Sequence, residues 1–283
     1  MKELVRISDL TFQYADGETV LSQINLTINE GEYWALVGPN GCGKTTLIRH
    51  LNALLLPTSG DVVINGLNTR SIKNVREIRR LVGMIFQNPD NQIVGMSVEE
   101  DVAFGPGNLG LPVEELRRRV EQALTMTGLR GLEKRSPHTL SGGQKQLLAM
   151  SGLLAVEPKL IALDEPTASL DAEGKRKVLS LIKALHDQGM AIINVTHNLE
   201  EVARADRVVV MDRGKIVADG SAGEILERVE WLKDLGMDPP KVTELLWYLR
   251  QEGADLGSGI FTVGAAVRAI SALLHRLRDG VNV

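Results

Sequence analysis

The sequence predicts an α/β fold in which antiparallel strands precede a core of buried strands and covering helices, with a helical insertion interrupting that core. Three observations carry the prediction. An apolar run, Tyr33 to Val37, leads into a glycine-rich loop, Gly38 to Thr45, and then a helical stretch, Thr46 to Leu56. A second apolar run, Leu160 to Leu163, ends in Asp164 and Glu165, as a central parallel strand does where its C-terminal end meets a ligand. The pattern then continues as helix, Ala172 to Gln188, and strand, Ala191 to Thr196.

The elements follow in chain order. Leu4 to Tyr14 and Val20 to Ile28 read as antiparallel strands joined by a hairpin turn at Asp16-Gly17, and Asp61 to Ile64 completes a small antiparallel β subdomain. Leu81 to Phe86 is an apolar run closed by Gln87. From Asn88 to about Val156 the pattern is mostly helical: Pro112 opens Val113 to Thr127, Pro137 precedes Leu140, and Lys145 to Leu154 forms a further helix. This inserted helical subdomain spans about 88–156. The core resumes after it and ends in a strand pair, Arg207 to Met211 and Lys215 to Asp219, across Asp212-Arg213-Gly214.

Beyond about Gly223 the chain reads as helical, with an amphipathic stretch from Ile225 to Leu235 and a break at Asp238-Pro239-Pro240. Val263, Ala266, Val267, Ile270, Leu273, Leu274 and Leu277 then fall on one helical face. That stripe either packs on the chain's own core or forms a subunit contact. The expected division is 1–223 for the nucleotide-binding domain and 224–283 for a C-terminal helical extension, with dimerisation as one of those two outcomes.

The loop Gly38-Pro39-Asn40-Gly41-Cys42-Gly43-Lys44-Thr45 fits G-x-x-x-x-G-K-[ST] in its required strand, loop, helix setting. Its glycines let backbone N–H groups wrap phosphates, and the helix N-terminus adds partial positive charge. Lys44 is expected on the β- and γ-phosphates, Thr45 on Mg²⁺, and Thr46 joins the nucleotide-binding set. At the acidic strand end, side-chain alternation sends Asp164 and Glu165 apart, Asp164 towards Mg²⁺ and Glu165 towards the water that attacks the γ-phosphate. Leu140-Ser141-Gly142-Gly143-Gln144 has two readings: Ser141 and Gln144 fit a capping box, while Gly142 and Gly143 weaken a first turn yet permit close approach to a phosphate.

With the loop, Gln87, Leu140-Ser141-Gly142-Gly143-Gln144, Asp164-Glu165, Ser169-Leu170-Asp171 and His197 in this order, the chain resembles the ATP-binding cassette (ABC) family. The resemblance implies a P-loop ABC ATPase with a RecA-like core, with ATP and Mg²⁺ as cofactors. It implies that His197 contacts the γ-phosphate and that Gln87 senses Mg²⁺ or water and reports to a partner. Tyr14 matches the position from which family members stack an aromatic ring on adenine; it equally fits a strand aromatic. Two cassettes face head to tail in the family, so Ser141 and Gly143 would act in trans on a second ATPase subunit, same or homologous. One departure is Leu147, where the family commonly carries arginine.

A finer resemblance lies in Phe86-Gln87-Asn88-Pro89-Asp90-Asn91-Gln92 and in Ser97 to Pro106, which look like the ATPases of energy-coupling factor (ECF) importers of vitamins, cobalt or nickel. It implies a transmembrane coupling subunit met through Glu99, Glu100 and Asp101, and a separate substrate-binding membrane subunit. The same acids also fit a helix start capped by Ser97. Other readings are the ATPase of another ABC transporter class and a nucleotide-gated, non-transport binding module.

Bulk properties agree with a peripheral subunit on the cytoplasmic face of the cell membrane. The 283 residues are 43% hydrophobic, enough for a substantial core. No apolar run approaches the about 18–20 residues of a membrane span, and Met1 to Arg6 does not begin a secretory signal. A net charge of -4 offers no global pull towards nucleic acid. Long heptad arms of a chromosome-associated ATPase are absent between Lys44 and Leu140, and one loop with one signature does not make the tandem cassettes of ribosome-associated relatives. Cys42, the only cysteine, permits no internal disulfide; it sits in the phosphate loop, either as a site where a thiol reagent obstructs nucleotide or as a tolerated small residue.

Overall fold

The computed structural model describes residues 2–280, without the side chains of 277–280, and divides into two units. The first comprises Met1–Tyr33 and Gly43–Val195, the second Trp34–Cys42 and Thr196–Val283. Its strands are β1 (Glu3–Gln13), β2 (Thr19–Asn29), β3 (Tyr33–Val37), β4 (Ser59–Ile64), β5 (Leu67–Asn68), β6 (Val82–Ile85), β7 (Leu160–Asp164), β8 (Ala191–Val195), β9 (Arg207–Asp212) and β10 (Lys215–Gly220). The helices of the first unit are α1 (Lys44–Leu51), α2 (Val75–Leu81), α3 (Val98–Gly107), α4 (Val113–Thr127), α5 (Gly142–Leu154) and α6 (Ala172–Asp187). Those of the second are α7 (Leu199–Val202), α8 (Ala222–Leu226), α9 (Val229–Asp234), α10 (Lys241–Gln251) and α11 (Val263–Gly280).

In the first unit, β1 pairs antiparallel with both β2 and β4, and β5 adds a short edge. Val5, Ile7, Leu10 and Phe12 are buried along β1. Strict alternation would fail between Ile7 and Leu10, and a register shift there restores it, with Asp9 at φ +48° and its N–H donated to Asn25 Oδ1 at 2.9 Å. Beside this sheet, β6, β7 and β8 run parallel and are almost wholly buried, as their uninterrupted apolar runs require. Ile85 lies opposite Leu163, and Asp164 opposite Val195. That register brings Gln87, two residues past β6, to the same sheet edge as Glu165, one past β7.

The insertion is helical as expected. In α4, Val120, Ala123, Leu124 and Thr127 are buried at helical spacing, and α3, α4 and α5 pack on one another. Thr127 Oγ1 and Ser151 Oγ lie 2.7 Å apart inside that packing, so a buried hydroxyl pair ties α4 to α5.

In the second unit β3 pairs in parallel with β9, and β9 returns antiparallel as β10, the expected strand pair. Farther along, Leu246 of α10, Leu256 and Ala266 of α11 form a small apolar core, against which Ile270 and Leu273 also pack. Val263, Val267 and Leu274 stay exposed at 67%, 56% and 53%. The C-terminal stripe is therefore divided: part packs on the chain itself and part is left uncovered. The side chain of Leu277 lies outside the described residues.

Two expectations need correction, and one helix goes beyond them. The helix expected over Thr46 to Leu56 ends at Leu51, because Asn52 leaves helical geometry and Ala53 takes φ +52°. The stretch Ile225 to Leu235 is broken into α8 and α9 at Glu227 and Arg228, where Arg228 adopts ψ +57°. The short helix α2 was not foreseen; its core-facing signal is only Ile78 and Leu81, and Leu81 passes directly into β6.

Candidate nucleotide site

The phosphate-loop sequence contributes to both units. In the second, Gly38 has no room for a side chain: a Cβ would lie 2.1 Å from Met211 O and 2.9 Å from Cys42 Sγ. Gly214 N–H donates to Cys42 O at 3.0 Å, so the loop is pinned to the turn between β9 and β10. The Cys42 side chain is buried at 4% exposure, which removes it as a ready handle for thiol reagents. In the first unit, Gly43 at φ +104° is the N-cap of α1 and no side chain caps the helix. α1 therefore starts without the side-chain cap that most helices carry. Lys44 and Thr46 are buried in the first turn.

Thr45 Oγ1 donates to the Asp164 carboxylate, 3.0 Å from Oδ1 and 2.9 Å from Oδ2. Burial pushes the Asp164 carboxyl above its ordinary range; the Thr45 hydroxyl pulls it back, neighbouring Glu165 adds to the rise, and Arg49 and Lys44 oppose it. Glu165 leaves the strand with φ +50°, a left-handed conformation that costs roughly 1–2 kcal/mol in a non-glycine residue. That turn takes Glu165 out of the line of β7, which ends at Asp164. It is held by Glu165 N–H donating to Val195 O at 2.9 Å, and Gln87 Nε2 donates to Glu165 Oε2 at 3.1 Å. Thr45, Arg49, Gln87, Gly142, Lys145 and Asp164 all line one cavity of about 950 Å³.

Around Ser141 the capping-box reading holds. Gln144 N–H donates to Ser141 Oγ at 3.3 Å and Ser141 N–H to Gln144 Oε1 at 3.0 Å, a complete capping box for α5. The two glycines differ: a Cβ on Gly142 would meet nothing nearer than 4.0 Å, whereas one on Gly143 would lie 3.0 Å from Gly174 Cα. Gly143 therefore serves the packing of α5 on α6. Sequence reading missed Gly174, although an isolated glycine three residues into a helix is its own signal. Lys145 Nζ reaches Asp90 Oδ1 at 2.7 Å, joining α5 to the segment after Gln87, another pairing the sequence did not reveal. Leu147 is buried at 5%, a core residue of the helical subdomain.

Tyr14 places its hydroxyl 3.2 Å from Thr46 Oγ1, with the ring 37% exposed. His197, in the second unit, is exposed and follows Thr196, whose N–H donates to Leu36 O at 3.2 Å. Of the three acids at the start of α3, one is taken up inside the protein. Asp101 is buried and its Oδ1 accepts from Val94 and Gly95 N–H at 2.7 and 2.8 Å, while Glu100 accepts from Met96 and Ser97 N–H. Glu99 and Glu100 both remain exposed.

The family model for ABC transporters matches residues 21–168. This chain is a member of the ABC transporter family. A cobalt import ATP-binding protein, CbiO, of Syntrophus aciditrophicus is 49% identical over 270 residues, covering 95% of this chain and 96% of that one. An energy-coupling factor transporter ATP-binding protein, EcfA1, of Caldanaerobacter subterraneus is 49% identical over 275 residues, with coverage of 95% and 99%. Among solved structures, cbiO1 of Clostridium perfringens, described as part of the ABC transporter complex cbiONQ, matches with a TM-score of 0.76 at 36% identity, covering 87% of this chain and 99% of cbiO1. The ATP-binding cassette MJ0796, in a dimeric post-hydrolysis state bound to ADP and Pi, matches with a TM-score of 0.70 at 30% identity, covering 77% and 99%. The fold is that of ABC ATPases, and the chain is an ABC ATPase. Among the described residues no helix is long and apolar enough to cross a membrane.

Proposed function

We propose that this ABC ATPase energises an ECF-type importer of vitamins or transition-metal ions, through ATP-driven closure of an ATPase dimer on the cytoplasmic face of the membrane. The bond between Gln87 and Glu165 carries the hydrolytic part of the reading, because it orients a carboxylate at the strand edge where the phosphate loop supplies the anion site. The importer class is supported by the CbiO and EcfA1 relatives.

A hard divalent cation suits this donor set: the Thr45 hydroxyl and a buried Asp164 carboxylate, both oxygen donors. Among the described residues no cluster of three His, Cys, Asp or Glu side chains makes a cage, which fits Mg²⁺ held by few protein oxygens together with phosphates. Thr45 and Asp164 would hold it, with Gln87 lining the same cavity, and it would there neutralise charge on the phosphates. Lys44 and the amides of Gly38 to Thr46 bind the phosphates, His197 contacts the γ-phosphate, and Tyr14 stacks on adenine. Glu165 takes a proton from water as the water oxygen bonds to the γ-phosphorus and the bond to the ADP oxygen breaks. Ser141, Gly142, Gly143 and Gln144 complete the partner's site in trans.

Residues 1–223 form the nucleotide-binding domain in this reading, and 224–283 a dimerising extension, supported by the uncovered Val263, Val267 and Leu274. The membrane coupling subunit docks beside exposed Val94 and Phe104, which line a cavity of about 370 Å³, and beside Met96 and Glu99, exposed in the same stretch of chain. A separate membrane subunit selects the substrate.

Steady-state phosphate release and light-scattering mass test the reading. The wild type is expected to hydrolyse Mg-ATP, and Glu165→Gln to bind it, stop turning over and double its mass only with Mg-ATP. Rapid multiple turnover by Glu165→Gln removes the proposed base. A mass that stays monomeric with ATP bound removes the self-sufficient dimer and points to a second ATPase; an ATP-independent dimer assigns the contact to α11.

A further inference from the structure

Four side chains of the first unit close a ring between Tyr14 and the phosphate-loop helix. The Tyr14 hydroxyl lies 3.2 Å from Thr46 Oγ1. The backbone oxygen of the same Thr46 accepts from His50 Nδ1 at 2.8 Å. The His50 ring meets Phe12 edge to face, with centroids 4.7 Å apart, and Phe12 meets Tyr14 in the same manner at 4.8 Å. The path from Tyr14 through Thr46, His50 and Phe12 returns to Tyr14.

Burial along the ring is uneven. His50 is fully buried, Phe12 and Thr46 nearly so, and only Tyr14 reaches solvent. Tyr14 belongs to the turn between β1 and β2, where its N–H donates to Glu18 O, so the hairpin alone leaves its ring several rotamers. The contacts with Thr46 and Phe12 select one. His50 is an expensive residue for this position, since its imidazole is wholly buried and is offset only by backbone carbonyls, those of Thr46 and Leu56, a cost that an apolar side chain of similar size would avoid. A carbonyl can only accept, so the Nδ1 contact fixes the tautomer with its proton on Nδ1. Burial pushes the ring's pKa down, which keeps that neutral form.

We propose that His50 is a positioning residue for the nucleotide base: by bracing Phe12 and holding the Thr46 carbonyl, it sets the Tyr14 ring as a fixed wall for a planar base. This rests on the reading that Tyr14 stacks on adenine. The ring ties that wall to α1, whose first turn carries Lys44 and Thr45, so base and phosphate contacts share one rigid element. His50 itself touches no nucleotide.

The test separates base from phosphate. Affinities for ATP and for inorganic tripolyphosphate are measured by calorimetry on the full chain, for wild type, Tyr14→Ala, His50→Ala, His50→Phe and the Tyr14→Ala/His50→Ala pair. Stacking on an aromatic ring predicts about a tenfold loss of ATP affinity for Tyr14→Ala. His50→Ala is expected to lose several-fold for ATP, to keep tripolyphosphate affinity, and to add nothing to Tyr14→Ala. His50→Phe retains an edge contact and loses the donor, so it falls between wild type and His50→Ala. Equal losses for both ligands in both His50 variants, or losses that add fully to Tyr14→Ala, overturn the proposal. If Tyr14→Ala weakens ATP and neither His50 variant does, the stacking reading stands and the positioning role falls; if Tyr14→Ala has no effect, both fall. Should His50→Ala fail to fold, His50→Phe and Phe12→Leu decide by the same two-ligand comparison.

Discussion

Gln87 Nε2 donates to Glu165 Oε2 at 3.1 Å, so a residue two positions beyond β6 orients a carboxylate one position beyond β7. Neither side chain is placed by its own strand alone. Glu165 needs a left-handed backbone to leave β7, and Gln87 needs the β6–β7 register to reach it. Gln87→Ala removes the orienting donor and leaves the phosphate contacts intact. Phosphate release is expected to fall about tenfold or more, at the low end of what acid–base positioning supplies, with ATP affinity within twofold of wild type. A parallel loss of affinity in calorimetry would make Gln87 a binding residue instead.

Asp164 is a second site where function opposes stability. Its buried carboxylate has a raised pKa, so the ionised form at neutral pH is disfavoured by the fold. Asp164→Asn keeps a carbonyl acceptor for Thr45 and removes the charge. In nucleotide-free protein the variant is expected to melt about 2 °C higher at neutral pH, while Mg²⁺-dependent tightening of ATP binding disappears. Scanning calorimetry and a binding titration with and without Mg²⁺ read the two effects separately. Unchanged Mg²⁺ dependence would remove Asp164 from the cation site.

Much of this site was legible because its determinants are local. The loop Gly38 to Thr45, the segment Leu140 to Gln144 and the pair Asp164-Glu165 each declare themselves within a few residues, and the long strands and α4 follow from periodicity. The rest depended on partners distant in the chain. The role of Gly143 is visible only with Gly174 against it, and Asp101 reads as a docking acid until the amides of Val94 and Gly95 are seen to occupy it. Strand alternation does not extend to Glu165, because β7 ends at Asp164 and Glu165 turns away with φ +50°. Helix α2 escaped notice because seven residues with two buried positions make too short a period.

Asp90 and Lys145 form the link between the segment after Gln87 and the helix that begins at Gly142. The Lys145 side chain is 19% exposed and that of Asp90 55%, so the direct contribution of the pair to stability is small, about 0–1 kcal/mol. Its effect belongs to coupling. Asp90→Lys sets two cations together and is expected to lower phosphate release several-fold without shifting the melting temperature by more than about 2 °C. The exchanged pair, Asp90→Lys with Lys145→Asp, should recover most of the activity. Failure of the exchange to rescue, with both single variants folded, would reduce the contact to an ordinary surface ion pair.

Gly142 and Gly143 are adjacent, and the structure assigns them opposite sensitivities. A Cβ on Gly142 has open space, and alanine is the better helix former, so Gly142→Ala is expected to hold or slightly raise stability in the isolated chain. At Gly143 the added carbon would sit 3.0 Å from Gly174 Cα, a backbone neighbour that yields only if α5 and α6 separate. Overpacking of this kind costs about 1–3 kcal/mol, which for a chain of this size lowers the melting temperature by several degrees. Thermal melts of the two nucleotide-free variants give the comparison directly. If the chain closes on ATP as proposed, Gly142→Ala should lose ATP-dependent dimerisation despite its normal melt, because its side chain would point into the space left for the partner's phosphates. Equal melting temperatures would mean that α5 and α6 yield to the added carbon, and the contact between Gly143 and Gly174 would then hold no strict spacing between the two helices.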